Sequence, residues 1–122
     1  MRKLVLTVLV LGLVGCMSVP NLASQPKEIA EDELSNYWEM VSDSFSFNSA
    51  ISYKGRPDGY VKIRYLIDSD GEVHDPDVVE SEPEGVWDAA GLKAVKKMEF
   101  VPASDNADRM PVYVSTVFKF VG

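Results

Sequence analysis

The stretch GYVKIRYLIDSDG, residues 59–71, decides the fold of this chain. Apolar side chains at every second position, ending at Ile67, alternate with the charged side chains of Lys62 and Arg64. This period of two predicts a β-strand with one buried face. The DSDG end predicts a tight turn, because Gly71 can adopt a positive φ at no steric cost. A second, antiparallel strand is expected to follow.

Weaker patterns on either side of this hairpin predict the other elements. The second strand is expected over residues 72–79, interrupted near Pro76, because a proline lacks an N–H and favours a bulge or an edge. Apolar residues at helical spacing predict an amphipathic helix over 27–41 and another over 87–98, the latter entered through a capping Ser81. A short extended piece at 100–103 and an alternating strand over 112–120 complete the order.

This order of elements predicts the α+β class. A small antiparallel sheet packed on one face against one or two helices satisfies it. The predicted core includes Trp87 and Phe100, since aromatic residues on a helix face or a strand are mostly core. Gly91 lies inside the second helix, where glycine costs about 1 kcal/mol relative to alanine. We interpret it as a point of close contact between helix and sheet.

The first sixteen residues have a different character. Arg2 and Lys3 precede an apolar run over 4–14, which is shorter than the roughly twenty residues that a membrane-spanning helix needs. The run fits the apolar region of a secretory signal peptide. Residues 13–16, LVGC, resemble the lipobox of a bacterial lipoprotein, which implies cleavage before Cys16 and acylation of Cys16, for example with palmitate. An ordinary secretory signal with a chance cysteine remains the alternative.

We therefore divide the chain into three parts. Residues 1–15 are the predicted lipoprotein signal peptide, 16–26 a lipidated tether, and 27–122 a single domain. The resemblance to lipoproteins implies a place in the bacterial cell envelope, anchored by lipid and facing the periplasm. Met17 follows the cysteine where lipoproteins kept at the inner membrane commonly have aspartate, so the outer membrane is favoured over the inner.

Composition excludes several partners. The chain has 12 Lys+Arg against 19 Asp+Glu, a formal net charge of −7. That sign argues against nucleic acid, whose phosphates need a basic footprint. It also provides no polybasic patch for anionic lipid, so membrane attachment depends on acyl chains at Cys16. With one cysteine, no disulfide can form within the chain.

The sequence contains no convincing catalytic or metal-binding pattern. Asp68, Asp70 and Asp77 do not fit the register of a calcium-binding loop counted back from the turn glycine. His74 is the only histidine, and we interpret it as a solvated strand residue. The acids at 80, 82 and 84 lie beside a predicted helix start and are best explained by the helix dipole. We expect no enzyme activity, no cofactor and no bound metal.

From residue 59 onward the chain resembles the C-terminal domain of the TonB family. The matching segments, in order, are 59–65, 70–73, 78–83, 87–95, 98–103 and 112–120; the recognisable core is 59–121. No single segment is specific, but six in the right order and spacing are. The resemblance implies a binding module for envelope or outer-membrane proteins, with a link to TonB-dependent transport.

The chain also departs from that family. A lipoprotein signal replaces the membrane helix, the proline-rich spacer is absent, and Ser52-Tyr53-Lys54 stands near the place of the usual Tyr-Pro pair. The parts that would couple to a proton-driven motor are missing, so the resemblance does not extend to full energy transduction.

The last strand is the predicted binding site. A strand at a sheet edge offers unpaired N–H and C=O groups to an extended peptide, and in the TonB family the corresponding strand pairs with a short segment of an outer-membrane receptor. The implied partner-binding residues are Val112, Tyr113, Val114, Ser115, Thr116, Val117, Phe118, Lys119 and Phe120. We expect Val114→Pro to abolish capture.

Three alternatives for that edge stay open at this point. The helix predicted from Lys27, the segment Phe45–Ser49, or a second copy of the protein could cover it. The last of these would make the protein a homodimer, that is, a structural envelope lipoprotein that self-associates without energy transduction.

Overall fold

The structure is a computed structural model and describes residues 19–41 and 55–121. Its strands are β1 (Lys27–Glu28), β2 (Trp38–Met40), β3 (Gly59–Ile67), β4 (Val73–Glu82), β5 (Phe100–Pro102) and β6 (Val112–Phe120). Its helices are α1 (Leu34–Tyr37), preceded by a 3₁₀ turn at Glu31–Glu33, and α2 (Asp88–Lys96). Among these residues, no helix combines the length and the apolar character needed to cross a membrane. The predictions for the signal peptide, Cys16 and Phe45–Ser49 fall outside the described residues.

The main sheet has four strands in the order β1-β6-β3-β4. β3 pairs with β6 in one uninterrupted antiparallel register, from Gly59 opposite Phe120 to Ile67 opposite Val112. β1 joins the other side of β6 in parallel, and β2 and β5 form a separate two-stranded antiparallel sheet. The α+β prediction is confirmed, as are the strands predicted over 59–67 and 112–120.

β4 is an irregular strand. Its register against β3 shifts twice, once between Lys62 and Ile63 and once between Arg64 and Leu66. The first shift leaves Val79 without a partner on β3, and the second falls at Asp75 and Pro76. The interruption predicted near the proline is therefore confirmed, although the strand continues to Glu82.

The core lies between one face of the sheet and α2. Trp87 is fully buried and stacks on Phe120, with ring centroids 4.8 Å apart and planes 4° from parallel. Gly91 lets the helix approach β3, because a Cβ added there would lie 3.0 Å from Ile63 Cδ1 and 3.3 Å from Val61 Cβ. The interpretation of this glycine as a close contact is confirmed. Phe100, 4% exposed, also lies in the core as predicted.

The helix predicted over 27–41 is wrong. That segment is a short strand, a 3₁₀ turn, one turn of helix and then another strand. The apolar spacing correctly indicated buried side chains but not a helix. Trp38 is 1% exposed and reaches the core from extended backbone. Its Nε1–H donates to the Met110 carbonyl at 2.8 Å, and the Ala103 N–H donates to the Tyr37 carbonyl at 3.0 Å. Pairing with β5 therefore outcompetes helix propensity.

The entry to α2 also differs from the prediction. The helix begins at Asp88, and Ser81 belongs to β4 rather than capping the helix. The Ser81 Oγ accepts a hydrogen bond of 3.3 Å from the Gly85 N–H in the turn between the two elements. A turn-stabilising serine and a capping serine have the same sequence signature, since both accept from a nearby backbone N–H.

Two glycines with positive φ offer a matched test of the hairpin. Gly71 and Gly85 have φ of 82° and 78°, but a Cβ at Gly71 would overlap the Phe100 carbonyl oxygen, whereas one at Gly85 meets nothing within 4 Å. Gly85→Ala should lower the free energy of unfolding by about 1 kcal/mol, and Gly71→Ala by about 3 kcal/mol. Urea denaturation measures both, and equal losses would contradict the close contact.

Candidate protein-binding edge

The backbone of β6 points alternately toward β3 and away from it. Along a strand, the N–H and C=O of one residue share a direction, and the next residue reverses it. The Tyr113 carbonyl accepts a 2.9 Å hydrogen bond from the Ile29 N–H on the side away from β3. Ser115, Val117 and Lys119 therefore also direct their backbone groups away from β3. Their even-numbered neighbours bond to β3.

The N-terminal segment covers only the start of β6. Lys27 pairs with Val112 and Glu28 with Tyr113, and the chain then leaves the sheet for the 3₁₀ turn. Within residues 19–41 and 55–121, no hydrogen bond reaches the outward backbone groups of the next three odd-numbered residues. We call Ser115, Val117 and Lys119 the open edge.

The nine predicted site residues thus fall into three groups. Val112 and Tyr113 lie beside β1, and the other even-numbered residues bond to β3 through their backbones. Of these nine, Ser115, Val117 and Lys119 are the residues whose backbone groups have no hydrogen-bond partner in the described part of the chain. Val117 is 36% exposed and Lys119 is exposed, whereas Phe118 and Phe120 are buried. The N-terminal segment, one of the three candidates to cover this edge, therefore shields the beginning of β6 and does not reach its second half.

Positive charge surrounds the open edge on the face of the sheet opposite α2. Lys62 lies opposite Val117 and Arg64 opposite Ser115 in the register with β3. Arg64 is already engaged, because its Nε and Nη2 donate to the two carboxylate oxygens of Glu28, each at 3.0 Å, and its guanidinium lies 4.0 Å from the Tyr113 ring centroid. Lys62 and Lys119 have no ion pair within the described part of the chain.

The opposite edge of the sheet, β4, is protected against strand addition. It carries two bulges and a proline, which break the regular spacing of backbone groups. Its exposed side chains include the acids Asp75, Asp77, Glu80 and Glu82. Prolines, bulges and charges are the usual protection of an edge strand. The open edge of β6 contains neither a proline nor a bulge, so an extended peptide can add to it more readily than to β4.

A buried carboxylate organises the hairpin end of the same sheet. Asp68, 1% exposed, accepts four hydrogen bonds: Oδ1 from the N–H groups of Asp70 (2.9 Å) and Glu72 (3.0 Å), and Oδ2 from the Asn21 N–H (3.1 Å) and His74 Nε2 (2.7 Å). Burial alone would raise the pKa of Asp68, but the hydrogen bonds from these partners outweigh it and hold that pKa below its usual value.

The interpretation of His74 as a solvated residue is wrong. It is 8% exposed and bonds to Asp68 because the register of β4 turns its ring toward the hairpin. Glu72 completes a group of three possible metal ligands whose atoms lie within 4.8 Å of one another. Each oxygen of Asp68 already accepts two hydrogen bonds, so a metal ion would have to displace them. The arrangement is a structural one.

The hairpin also holds the chain that precedes β1. The Ser69 N–H donates to the Asn21 carbonyl at 2.7 Å, and the Ala23 N–H donates to Ser69 Oγ at 2.8 Å. Ser69 Oγ in turn donates to the Arg109 carbonyl at 2.8 Å. Sequence reasoning missed this attachment, because an asparagine and an alanine in a presumed tether give no sign of a partner in the hairpin, 46 residues away for Ala23.

The fold and sequence agree with a known family. The family model described as "Gram-negative bacterial TonB protein C-terminal" matches residues 50–121, more than half of the chain. The solution NMR structure of the Pseudomonas aeruginosa TonB CTD superposes with a TM-score of 0.56 at 22% identity, covering 75% of this chain and 91% of that chain. No curated protein matches the chain.

The chain belongs to the TonB C-terminal family. The family consists of non-enzymatic protein-interaction domains of the bacterial envelope, which interact with envelope or outer-membrane proteins. A protein-interaction domain needs a surface that a partner can bind, and in the described residues the open edge provides one.

The role of Asp68 can be tested by its pH dependence. A carboxyl whose folded pKa lies below its unfolded pKa stabilises the protein above the unfolded value, and this is lost as the pH falls through the folded value. Asp68→Asn should lower the free energy of unfolding by about 2 kcal/mol at neutral pH, and the difference from wild type should shrink below about pH 4.

Asp70→Asn is the matched control. Asp70 is exposed and its carboxylate accepts only a surface bond from Asn21 Nδ2, at 3.1 Å. Its replacement should change stability by less than about 0.5 kcal/mol. Urea denaturation across the pH range measures both variants, and a pH-independent loss in Asp68→Asn would show that the carboxylate charge is not what the hairpin uses.

Proposed function

We propose that the protein is a lipid-anchored, periplasm-facing binding module that captures an extended segment of an envelope or outer-membrane protein by strand addition at the open edge. The observation that carries the proposal is the row of three outward-facing residues whose backbone N–H and C=O groups have no partner in the described residues. Strand addition obtains affinity from main-chain hydrogen bonds and specificity from alternate side chains.

The side chains beside the open edge favour a particular chemistry. A strand laid along β6 places alternate side chains on the face that carries Val117 and Lys119. Val117 offers apolar contact, and Lys119 with the nearby Lys62 offers positive charge that no ion pair neutralises in the described residues. Cross-strand neighbours of opposite charge and apolar neighbours are favourable. The captured segment is therefore apolar with at least one acidic residue.

The lipid anchor determines how far the sheet and its open edge lie from the membrane. Cys16 carries the lipid in this proposal, and Asn21 is bonded to the hairpin. The five residue steps from Cys16 to Asn21 span at most about 18 Å. The hairpin end of the sheet consequently lies next to the bilayer, with the open edge farther out. The residue after the cysteine favours the outer membrane, where a partner emerging from the same bilayer is within reach.

A second candidate is a structural lipoprotein that self-associates. The same open edge supports it, because two copies could pair their β6 strands across a two-fold axis. A link to TonB-dependent transport fits the first candidate, whereas the second requires no transported substrate. Sedimentation at rising concentration separates them: a tight dimer that captures no peptide favours self-association.

Val117→Pro tests capture without breaking the sheet. Proline removes the N–H that a partner would use, and at position 117 that N–H is not bonded to β3. Capture should be lost, while the free energy of unfolding changes by less than about 1 kcal/mol. Val114→Pro is unsuitable, because Val114 directs its N–H toward β3 and is 1% exposed.

Val79→Pro on the opposite edge is the matched control. Val79 is 48% exposed and unpaired at a bulge of β4. A photo-reactive residue at position 119 would cross-link the partner in cells, and mass spectrometry would locate the linked segment. We expect one contiguous segment of an envelope protein, lost in Val117→Pro and kept in Val79→Pro. An undiminished cross-link in Val117→Pro would refute strand addition.

The lipid anchor has a separate test. Cys16→Ser removes the acylated thiol, so metabolic labelling with palmitate should disappear and the protein should move from the membrane to the soluble periplasmic fraction. Leu4→Ile, which preserves the apolar run, should change neither. Unaltered membrane attachment of the serine variant would mean that the chain is held by something other than acyl chains.

A further inference from the structure

The small sheet also ends in a free edge. β2 bonds to β5 through Glu39 and its odd-numbered neighbours, since the Val41 N–H donates to the Glu99 carbonyl at 2.9 Å and the Ala103 N–H to the Tyr37 carbonyl. By alternation, Met40 directs its N–H and C=O away from β5. In the described residues, neither group has a hydrogen-bond partner.

This free edge borders a groove with an apolar floor. The groove holds about 520 Å³ and lies between the 3₁₀ turn with α1 on one side and β2 with β5 on the other. Its floor includes Trp38 and Phe100, which are 1% and 4% exposed, and Leu34 lines one wall. The Trp38 ring is fixed by its hydrogen bond to the Met110 carbonyl. Met40, 43% exposed, offers an adaptable apolar contact at the rim.

The rim of the groove is acidic. Glu31 and Asp32 of the 3₁₀ turn both line it, both are exposed, and neither has an ion pair in the described residues. The carboxylate of their neighbour Glu33 is already hydrogen-bonded, because its Oε1 accepts from the Ala30 N–H at 3.0 Å. Three features therefore converge on one place: a free backbone edge, a rigid aromatic floor and two uncompensated carboxylates. We call it the acidic groove.

We infer that the acidic groove is a second docking site, which takes an extended basic segment of a partner protein with alternating apolar residues. The segment adds to β2 through the backbone of Met40. Its apolar side chains cover Trp38 and Phe100, and its Lys or Arg side chains meet Glu31 and Asp32. The site is complementary in charge to the open edge, whose free side chains are lysines, so the two surfaces select different segments.

A second copy of the chain fits this groove poorly. The exposed lysines Lys93, Lys96 and Lys97 lie on α2 or at its end, on helical backbone that cannot add to a strand edge. The long edge β4 is acidic and would meet the acidic rim with repulsion. The open edge of a second copy is basic, but Val117 is its exposed apolar side chain, since Phe118 and Phe120 face their own core, so it cannot cover both Trp38 and Phe100 as a foreign segment can.

The test uses the full acylated chain in detergent and a fluorescent peptide of alternating lysine and valine. Fluorescence anisotropy should show saturable binding that weakens as salt rises. The same peptide with glutamate for lysine matches the open edge instead, so an excess of it should not displace the lysine peptide from the groove. The double variant Glu31→Gln/Asp32→Asn should weaken binding by about tenfold, and Met40→Pro should weaken it further.

Matched controls separate this site from bulk charge and from the open edge. Asp105→Asn/Asp108→Asn removes two exposed carboxylates elsewhere and should leave binding unchanged, as should Val117→Pro. Equal weakening in both double variants would mean non-specific attraction and would overturn the inference. So would absent binding, loss of binding in Val117→Pro, or a dimer of the chain that Glu31→Gln/Asp32→Asn dissociates.

Discussion

The position of β3 at the centre of the sheet is the constraint on which the rest depends. Its odd-numbered residues bond to β6 and its even-numbered residues to β4. In the described residues, the far side of β4 is unpaired, and the far side of β6 pairs with β1 at Val112 and Tyr113. One face of this strand contributes Val61, Ile63, Tyr65 and Ile67 to the core. The two strands beside β3 differ on their far sides. β4 carries bulges, a proline and acidic side chains there, whereas β6 is covered by two residues of β1 at its start.

The buried carboxylate of Asp68 connects this sheet to the N-terminal segment. It joins the turn, β4 through His74, and the preceding chain through Asn21. From there the chain follows β6 for two residues and leaves it where Ile29 enters the core. The segment therefore fixes where the cover on β6 ends. A longer pairing would close the edge, but β1 ends at Glu28, Ile29 is buried in the core, and the chain continues into the 3₁₀ turn.

The sequence predicted the parts of the fold whose information is local. The alternation over 59–67 and 112–120, the turn at Gly71 and the close approach at Gly91 were all readable, because a strand period or a glycine carries its own physical reason. The segment 27–41 was not, since its apolar spacing suits a helix and Trp38 is extended only because β5 is beside it. The interpretation of His74 as a solvated residue was wrong for the same reason, because the irregular register of β4 determines what its ring contacts. The candidate edge was predictable as a strand, but which of its residues face outward required the register.

Amide hydrogen exchange of the free protein, followed by NMR, shows whether the outer side of β6 is uncovered, and it needs no partner. We expect fast exchange at Ser115, Val117 and Lys119 and slow exchange at Val114, Thr116 and Phe118, which bond to β3. The alternation should persist on dilution. Uniform protection along the whole of β6 would show that its outer side is already covered, and the proposed binding edge would then not exist.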